Sequence, residues 1–298
     1  NNWDVAYVDG SGNPQPLFQT QAADGSAQPI TVRPDVGRHP TGTGYLVYFG
    51  TGQYLETGDN SAIGEVTQTF YGVWDKNAKN NLGQATLAAF DRGDLLQQSI
   101  LAEVTAQGFD LRVTSSNAIN WHIGSGSPTG TPSTTHMGWY MDLINTEGGN
   151  TNNFGERAVT DPILRGDRII FTTLLPSQVA CDFGGTSWLM ELSSSTGGRL
   201  DESPFDLNND GYFSAPDYAT VLFDINNDGT IDSDDKVPSS GKKSKVGIIT
   251  RPGILNVANS NPGKEIKFVS GSTGAVEGTV ESNSGLPRGR QSWRQILD

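Results

Sequence analysis

The chain is poor in cysteine, histidine and positive charge. It holds one cysteine, Cys181, three histidines, and 20 lysine and arginine residues against 33 acidic residues, so its formal net charge is −13. A single cysteine excludes an internal disulfide and leaves a thiol partner outside the chain, a free thiol, or a small side chain packed inside. The acidic balance argues against nucleic acid or an anionic membrane as a partner through bulk electrostatics.

Long hydrophobic runs and the common catalytic signatures are also missing. No stretch is long enough to cross a bilayer as a helix, and the first residues carry no signal-peptide pattern. Because the chain begins on residues typical of a strand, we expect it to be a piece of a longer protein. His39, His122 and His136 share no metal-ligand spacing, and no catalytic or phosphate-loop motif occurs. The sequence therefore predicts a protein without enzymatic activity.

Glycine is abundant and separates short runs of β-branched and aromatic residues. There are 37 glycines and only 18% of residues are charged, which favours many short strands and turns. Three stretches each combine a proline-bearing β-run, a turn and a second β-run: 30–52, 158–173 and 246–271. A third strand follows each of them, at 69–74, 187–192 and 275–280. This plan is typical of a propeller blade. It predicts an all-β chain that forms one partial β-propeller domain over 1–298, with insertions at about 77–137 and 200–245.

The second insertion contains the hexapeptide D-x-N-x-D-G twice. Each copy places side-chain oxygens at loop positions one, three and five, and a glycine at position six allows the sharp turn that gathers them. Such loops bind Ca2+, a hard cation that takes about six to eight oxygen ligands. The ligands predicted for the second loop are Asp224, Asn226, Asp228, the Thr230 carbonyl, Asp232 and Asp235. Those predicted for the first loop are Asp206, Asn208, Asp210, the Tyr212 carbonyl, Ser214 and Asp217.

We expect the second loop to be the stronger site, because Asp232 at position nine can replace the ligand that is lost without the usual Glu at position twelve, whereas the first loop has Ser214 at position nine. The alternative is a surface turn rich in Asn, Asp and Gly. Two copies with equal spacing favour calcium, as do ten acidic residues without Lys or Arg over 201–235, which repel one another without a cation. Only 218–223 separates the loops, too little for EF-hand helices, and its composition predicts a strand.

Several segments resemble the C-terminal β-propeller domain of PilY-type (PilC-type) type IV pilus biogenesis factors, which are tip-associated adhesins. The similar segments run in order over nearly the whole chain: QPITVRP at 28–34, VYFGTGQYL at 47–55, QTFYGVWD at 68–75, GWYMDL at 138–143, GERAVTDP at 155–162, GGTSWLMEL at 184–192, the DLNNDG region and GRQSWRQIL at 289–297. The resemblance implies the C-terminal part of a modified, quinoprotein-like β-propeller.

The resemblance also implies a function. Members promote pilus biogenesis and extension against retraction, and they contribute to twitching motility, virulence, and attachment to surfaces or host cells. Implied partners are minor pilins and the pilus tip, with host-cell receptors or abiotic surfaces beyond them. The implied location is secreted, at the bacterial surface and outer membrane. A calcium loop of the pattern D-x-N-x-D-G-x-x-D regulates the family, and Asp224–Asp232 matches its spacing. Two alternatives remain: a calcium-dependent glycan- or matrix-binding module, and a quinone-dependent dehydrogenase propeller.

Arg-Gly-Asp, a tripeptide that binds integrins when exposed, occurs twice. The copies are Arg92-Gly93-Asp94 and Arg165-Gly166-Asp167. We favour a hairpin turn for the second copy and a loop for the first. For the tryptophans of β-rich segments we favour packing over a carbohydrate platform; they are Trp74, Trp139, Trp188 and Trp293. For Lys236, Lys242, Lys243 and Lys245 we favour a solvated basic loop over a contact with another pilus subunit.

Overall fold

A computed structural model describes residues 7–9, 11–61, 65–76, 85–86, 90–124, 126–149, 153–257 and 263–283. These residues form β-strands, turns and short 3-10 segments. No helix within those ranges has the length and apolar character that a membrane span requires. The all-β class predicted from the sequence is confirmed. The predicted segment GRQSWRQIL, with Trp293, and part of the insertion at 77–137 lie outside the described residues.

The strands are numbered in chain order. They are β1 Tyr7–Val8, β2 Asp35–Arg38, β3 Tyr45–Gly50, β4 Thr69–Asp75, β5 Ala85–Thr86, β6 Leu96–Ala106, β7 Phe109–Thr114, β8 Gly138–Asn145, β9 Ile163–Arg165, β10 Arg168–Thr172, β11 Leu175–Pro176, β12 Gly185–Thr186, β13 Trp188–Ser193, β14 Ala219–Thr220, β15 Lys236–Val237, β16 Gly241–Lys243, β17 Gly253–Val257, β18 Lys264–Ser270 and β19 Val276–Ser282. The 3-10 segments are Thr57–Asn60, Arg92–Asp94, Glu147–Gly149, Ala180–Asp182 and Ala215–Asp217.

Ten strands form one sheet in the order β2-β3-β4-β8-β6-β7-β16-β13-β10-β9. Every pair is antiparallel except β6 with β8. The sheet curls so far that its two edge strands, β2 and β9, come into contact. The Leu164 amide on β9 donates to Asp35 Oδ2 on β2 at 2.8 Å. Inside the curl, Phe70 of β4 stacks on Phe171 of β10 with ring centroids 3.8 Å apart. The core of this unit therefore lies between strands that are distant in sheet order.

Trp139 fills the middle of this core and is fully buried. Two glycines make room for its indole. A β-carbon at Gly72 would lie 2.4 Å from Trp139, and one at Gly197, where φ is +70°, would lie 2.2 Å away. Trp74 and Trp188 are also buried. The prediction that these three tryptophans pack in the sheet, rather than present a platform, is confirmed.

The three predicted blade units occur as three antiparallel meanders: β2-β3-β4, β9-β10-β13 and β17-β18-β19. The first two do not stand apart as separate blades. They form the two ends of the ten-stranded sheet, and four strands connect them: β6 and β7 of the first insertion, β8 directly after it, and β16. Within the first insertion, residues 96–106 form β6, which is the longest strand in the described part of the chain. Pairing between distant segments decided this arrangement, and local patterns do not encode it.

The third meander, β17-β18-β19, is a separate sheet. Its inward face carries charged side chains, and its outward face carries apolar ones. Along β18 the inward face carries Glu265, Lys267 and Val269, all buried. The opposite face carries Phe268, which is 42% exposed, and its neighbours on the flanking strands include Leu255, which is 57% exposed. The two buried charges of β18 require partners of opposite sign, since an unpaired charge in the interior is very unfavourable.

Arg165, Arg168 and Glu191 of the ten-stranded sheet provide such partners. With Glu265, Lys267 and Glu281 of the three-stranded sheet they form what we call the buried charge cluster. Lys267 Nζ donates to Glu191 Oε1 at 2.6 Å, to Glu265 Oε1 at 3.1 Å and to Glu281. Arg168 pairs with the second oxygen of Glu191 at 3.3 Å. The cluster therefore joins the three-stranded sheet to β9, β10 and β13.

The two central carboxyl groups of the cluster titrate in opposite directions. Burial opposes ionisation of Glu191, but the Lys267 ammonium, the hydrogen bond with Glu281 and the Arg168 guanidinium together outweigh burial and hold the pKa of Glu191 below its usual range. Burial and the neighbouring Glu191 carboxylate raise the pKa of Glu281 well above its usual range. Of these two carboxyl groups, Glu281 is therefore the one that holds a proton more tightly.

We expect Glu281→Gln to stabilise the protein at neutral and alkaline pH. In the wild type, the unfolded chain ionises near a pKa of about 4.3 while the folded state keeps the proton, so stability falls as pH rises between those two pKa values. The amide cannot ionise, and the decline becomes shallower. Urea unfolding measured from about pH 4 to about pH 9 checks this. A loss of several kcal/mol in the variant would mean that Glu281 is ionised and paired with Lys267.

Candidate metal centre

The two D-x-N-x-D-G loops have the same backbone path. Asn209 and Gly211 have φ of +58° and +84°, and the equivalent Asn227 and Gly229 have φ of +60° and +89°. Asparagine and glycine are the residues that adopt this left-handed conformation most easily. The spacing of the two motifs therefore fixes the same turn twice, at loop positions four and six.

The aspartate at position twelve closes each loop. Asp217 Oδ1 accepts from the Leu207 amide at 2.8 Å, and Asp217 Oδ2 accepts from the Ser214 amide at 3.2 Å. The equivalent Asp235 accepts from the Ile225 and Asp232 amides, both at 2.9 Å. Both carboxylates are fully buried. A short aspartate at this position thus holds the two ends of its loop together.

The strand predicted between the loops is present but short. It consists of β14, which pairs with β15 directly after the second loop. Ala219 of β14 and Val237 of β15 are buried in a core shared with the three-stranded sheet. The loops are therefore anchored on a β-framework, and the expectation that no helix pair of the EF-hand kind flanks them is confirmed for this region, which is described throughout.

The first loop brings three carboxylates together. Asp206, Asp210 and Asp217 each offer one oxygen, and these oxygens all lie within 4.8 Å of one another, the one group of this kind in the described part of the chain. Asp206 is only 9% exposed, and its Oδ1 is buried without a hydrogen-bond partner. Burial raises the pKa of Asp206, and the Asp217 and Asp210 carboxylates raise it further. An oxygen-seeking cation would relieve all three effects.

Lys264, which the sequence did not single out, lies against the same loop. A β-carbon at Gly211 would lie 1.9 Å from Lys264 Nζ. The Lys264 ammonium also counteracts the rise in the pKa of Asp206, as does the hydrogen bond from the Gly211 amide. This lysine is far from the motif in sequence, so only the pairing of β18 with β19 reveals its position.

The second loop is more open. Asp224 is partly buried, while Asn226, Asp228 and Asp232 are exposed. Asp228 Oδ1 accepts from the Thr230 hydroxyl at 2.6 Å and from its amide at 2.8 Å, and these bonds lower the pKa of Asp228. Each loop has six predicted ligands; the second loop has one more carboxylate among them, and the first has the closer carboxylates. That the second loop is the stronger site stays a prediction.

Backbone hydrogen bonds connect the first loop to the three-stranded sheet. The Asp206 amide donates to the Val280 carbonyl at 3.1 Å, and the Ser282 amide donates to the Pro204 carbonyl at 2.9 Å. Between these bonds, Phe205 faces Glu281 in an isolated bridge. The first predicted ligand of the loop is therefore next to the strand that contributes Glu281 to the buried charge cluster.

The first Arg-Gly-Asp copy forms a 3-10 turn whose charged side chains contact the protein. Arg92 pairs with Asp142, and its guanidinium lies over the Tyr140 ring at 3.9 Å. Asp94 accepts from the Asp91 amide at 3.1 Å and from the Ser133 hydroxyl. An integrin would have to displace these contacts before it could bind either side chain.

The second copy lies at the β9–β10 hairpin, as the sequence favoured. Arg165 pairs with Arg168 in the strand register, so Gly166 and Asp167 form a two-residue turn, and φ of Gly166 is +63°. Asp167 is exposed, but Arg165 binds Glu265 of the buried charge cluster. The arginine and the aspartate are thus not presented together.

Three other predictions from the sequence can be compared with the structure. The reading of Cys181 as a packed small residue is wrong, because Cys181 is exposed and unpaired. The basic-loop interpretation is wrong for Lys242, which is 5% exposed and binds Glu277 at 2.6 Å. The histidines have packing or loop roles, as expected. His39 stacks on Trp74 at 3.8 Å, and burial, with Lys76 nearby, lowers the pKa of His39 to about 4.

Comparison with known proteins shows the family to which this fold belongs. A family model described as the PilY1 beta-propeller domain matches residues 5–110. The type IV pilus biogenesis factor PilY1 of Pseudomonas aeruginosa PAO1 is 31% identical over 287 residues, which cover 95% of this chain and 22% of that protein. The chain belongs to the PilY1 β-propeller family. A PilY1 homolog of Xylella fastidiosa is 34% identical over 197 residues, which cover 66% of this chain and 12% of that protein.

The fold agrees with this PilY1 assignment. The crystal structure of the P. aeruginosa PilY1 C-terminal domain is similar, with a TM-score of 0.66 and 28% sequence identity, and the match covers 91% of this chain and 48% of that one. The family resemblance stated from the sequence is thereby confirmed. The chain spans about a fifth of the length of the P. aeruginosa PAO1 protein and about half of the solved PilY1 domain.

Proposed function

We propose that this chain is a calcium-binding part of a type IV pilus biogenesis factor and that it acts by binding rather than by catalysis. The relatives that carry the name type IV pilus biogenesis factor PilY1 support the pilus role. In this role the parent protein associates with minor pilins at the pilus tip, at the bacterial surface, and favours pilus extension over retraction. Twitching motility and attachment to surfaces or host cells follow from the presence of extended pili.

The observation that carries the calcium part is the unpartnered Oδ1 of Asp206 within the group of three carboxylates. The internal hydrogen bonds of both loops could also hold a metal-free turn, because Asx turns make the same bonds. A buried carboxylate oxygen without a donor, beside two further carboxylates, is unfavourable in a metal-free turn. It is the arrangement that a hard cation with oxygen ligands stabilises.

In the first loop Asp206, Asp210, Asn208 and the Tyr212 carbonyl would hold the ion, with Ser214 directly or through water. Asp224, Asn226, Asp228 and Asp232 would act in the same way in the second loop. In both loops Asp217 and Asp235 already bind backbone amides, so their main contribution is to fix the loop around the ion. The ion would add rigidity to the joint between the two sheets, since the first loop is hydrogen bonded to β19.

Calcium should therefore raise the thermal stability of the protein. A ligand that binds only the folded state at about a hundred times its Kd adds about 2.7 kcal/mol. We expect Asp206→Ala to remove the stabilisation by calcium at the first loop and Asp224→Ala to remove that at the second loop. The double variant should show no stabilisation by calcium. Melting curves with EDTA and with increasing free Ca2+ measure the stabilisation in each variant. They also test the prediction that the second loop is the stronger site.

Asp234→Ala is the matched control, because Asp234 is an exposed carboxylate of the same segment at a position that provides no ligand. The melting temperature of this variant should rise with calcium as much as that of the wild type. Melting curves that coincide with EDTA and with Ca2+ would contradict the calcium proposal. The pilus role is tested separately by counting surface pili in cells that lack the parent protein; an unchanged count would contradict it.

A further inference from the structure

A polar cavity of about 630 Å3 lies beside the buried charge cluster. Its lining consists of five hydroxyl side chains, two arginines, three carboxylates and one leucine, and none of these residues belongs to either metal loop. The volume lies within the range of about 300–1,000 Å3 that is typical of small-molecule sites, but such sites are usually lined mostly by apolar groups. A cavity with this lining suits a ligand that is itself strongly polar.

Arg168 provides a buried donor in the lining of this cavity. It is 6% exposed, and its Nη1 donates to the Ser282 carbonyl at 3.0 Å and to Glu191 at 3.3 Å. Its Nε is buried and has no hydrogen-bond partner among the described residues. A buried donor of a charged group that makes no hydrogen bond is costly. The Arg168 guanidinium therefore adds positive charge to the wall of the cavity, which favours a ligand with an anionic acceptor.

Arg199 is the second guanidinium of the cavity. Its Nη1 donates to the Thr114 carbonyl at 3.0 Å. Burial lowers the pKa of Arg199, and the Asp201 carboxylate only partly opposes this effect. Apart from its bond to Thr114, the Arg199 guanidinium makes no hydrogen bond within the described part of the chain, so it has donors left for an anion. Guanidinium groups are well suited to carboxylates because the planar fork of donors matches the two carboxylate oxygens.

The remaining lining groups limit the charge of the ligand and supply its other contacts. Asp167, Asp201 and Glu202 are exposed carboxylates, which accept hydrogen bonds from ligand hydroxyls and repel a second negative charge. Ser193 and Ser195 lie with their hydroxyl oxygens 3.0 Å apart and can either donate or accept. No aromatic ring is among the described lining residues, so a neutral sugar has no stacking surface.

We propose that this polar cavity binds a small polyhydroxylated monocarboxylate, which is the chemistry of an acidic monosaccharide. Its carboxylate lies against Arg168 and Arg199, and its hydroxyls bind the serines and the carboxylates of the rim. This site is separate from the calcium loops, so binding does not require Ca2+.

Isothermal titration of the whole chain with glucuronate in EDTA tests the proposal, with glucose and inorganic phosphate as comparison ligands. We expect saturable binding of glucuronate and at least tenfold weaker binding of both comparison ligands. Arg199→Gln should weaken glucuronate binding at least about tenfold, which corresponds to about 1.4 kcal/mol. Arg251→Gln is the matched control, because Arg251 is exposed and does not line the cavity.

Ser195→Ala provides a second variant that leaves the arginines and the fold intact, and it should weaken glucuronate binding without changing the melting temperature. Three results would overturn the proposal: no saturable heat with glucuronate, equal affinity in the wild type and in both cavity variants, or equal affinity for phosphate. Binding that appears only when Ca2+ is added would also overturn it, because the ligand would then lie at a metal loop.

Discussion

Lys267→Met should lower the free energy of unfolding by about 3–5 kcal/mol, the cost expected when one partner of a buried ion pair is removed. Lys267 is 1% exposed, and its ammonium group contacts the carboxyl groups of Glu191, Glu265 and Glu281. Methionine has a similar length but cannot compensate these carboxyl groups. The ionised Glu191 then keeps only Arg168 as a cationic partner. The three-stranded sheet should separate from the ten-stranded sheet at lower urea concentration than in the wild type.

Urea unfolding at neutral pH measures this loss, and Lys236→Met is the matched control because Lys236 is exposed. The deficit should shrink at acidic pH, where the glutamates gain protons and no longer need a cation. Limited proteolysis should cut first within β17–β19. A loss of less than about 1 kcal/mol, as for an exposed pair, would contradict the central position of Lys267 in the cluster.

Arg112→Met should cost a similar amount, about 3–5 kcal/mol, for the same physical reason. Arg112 is 1% exposed and binds both oxygens of Glu156, at 2.7 and 2.9 Å. It also binds Glu103 at 2.6 Å and lies over the Trp188 ring at 4.1 Å. Glu156 is only 4% exposed, so loss of the arginine leaves a buried carboxylate without its bidentate partner.

A double-mutant cycle with Glu156→Leu separates the pair from its surroundings. The double variant should be more stable than the sum of the two single losses predicts, because no unpaired charge remains. Glu103→Gln is the control, since the Glu103 side chain is 35% exposed and its contribution is screened by water. Additive losses in the cycle would contradict a direct coupling between Arg112 and Glu156.

The turns of the two D-x-N-x-D-G loops and the three meanders could be predicted because their signals are local. The loop pattern determines its own turns, and each meander follows from adjacent β-runs separated by a turn. The face that β18 buries could not be predicted in this way. In the sequence KEIKFVS the apolar Ile266 and Phe268 favour one inward face, yet the structure buries Glu265 and Lys267. Charged partners from β9 and β13 decide the orientation, and they are distant in sequence.

The same reason explains why β6, β7, β8 and β16 were not expected to join the first two meanders into one sheet. Their pairings connect residues that are far apart along the chain, such as Gly241 with Arg112. Lys242, interpreted as part of a solvated loop, is buried because β16 is an inner strand of that sheet. A single sequence gives the strands of such a sheet but not their order.

The bridge between Phe205 and Glu281 has a mechanical consequence. Two backbone hydrogen bonds, one on each side of this bridge, hold the segment at the start of the first D-x-N-x-D-G loop against β19. A displacement of Asp206 is therefore transmitted to β19 through backbone bonds, which stretch far less than flexible side chains. Tension on the loop is borne by the joint between the two sheets, and a force that opens this joint must also pull on the loop.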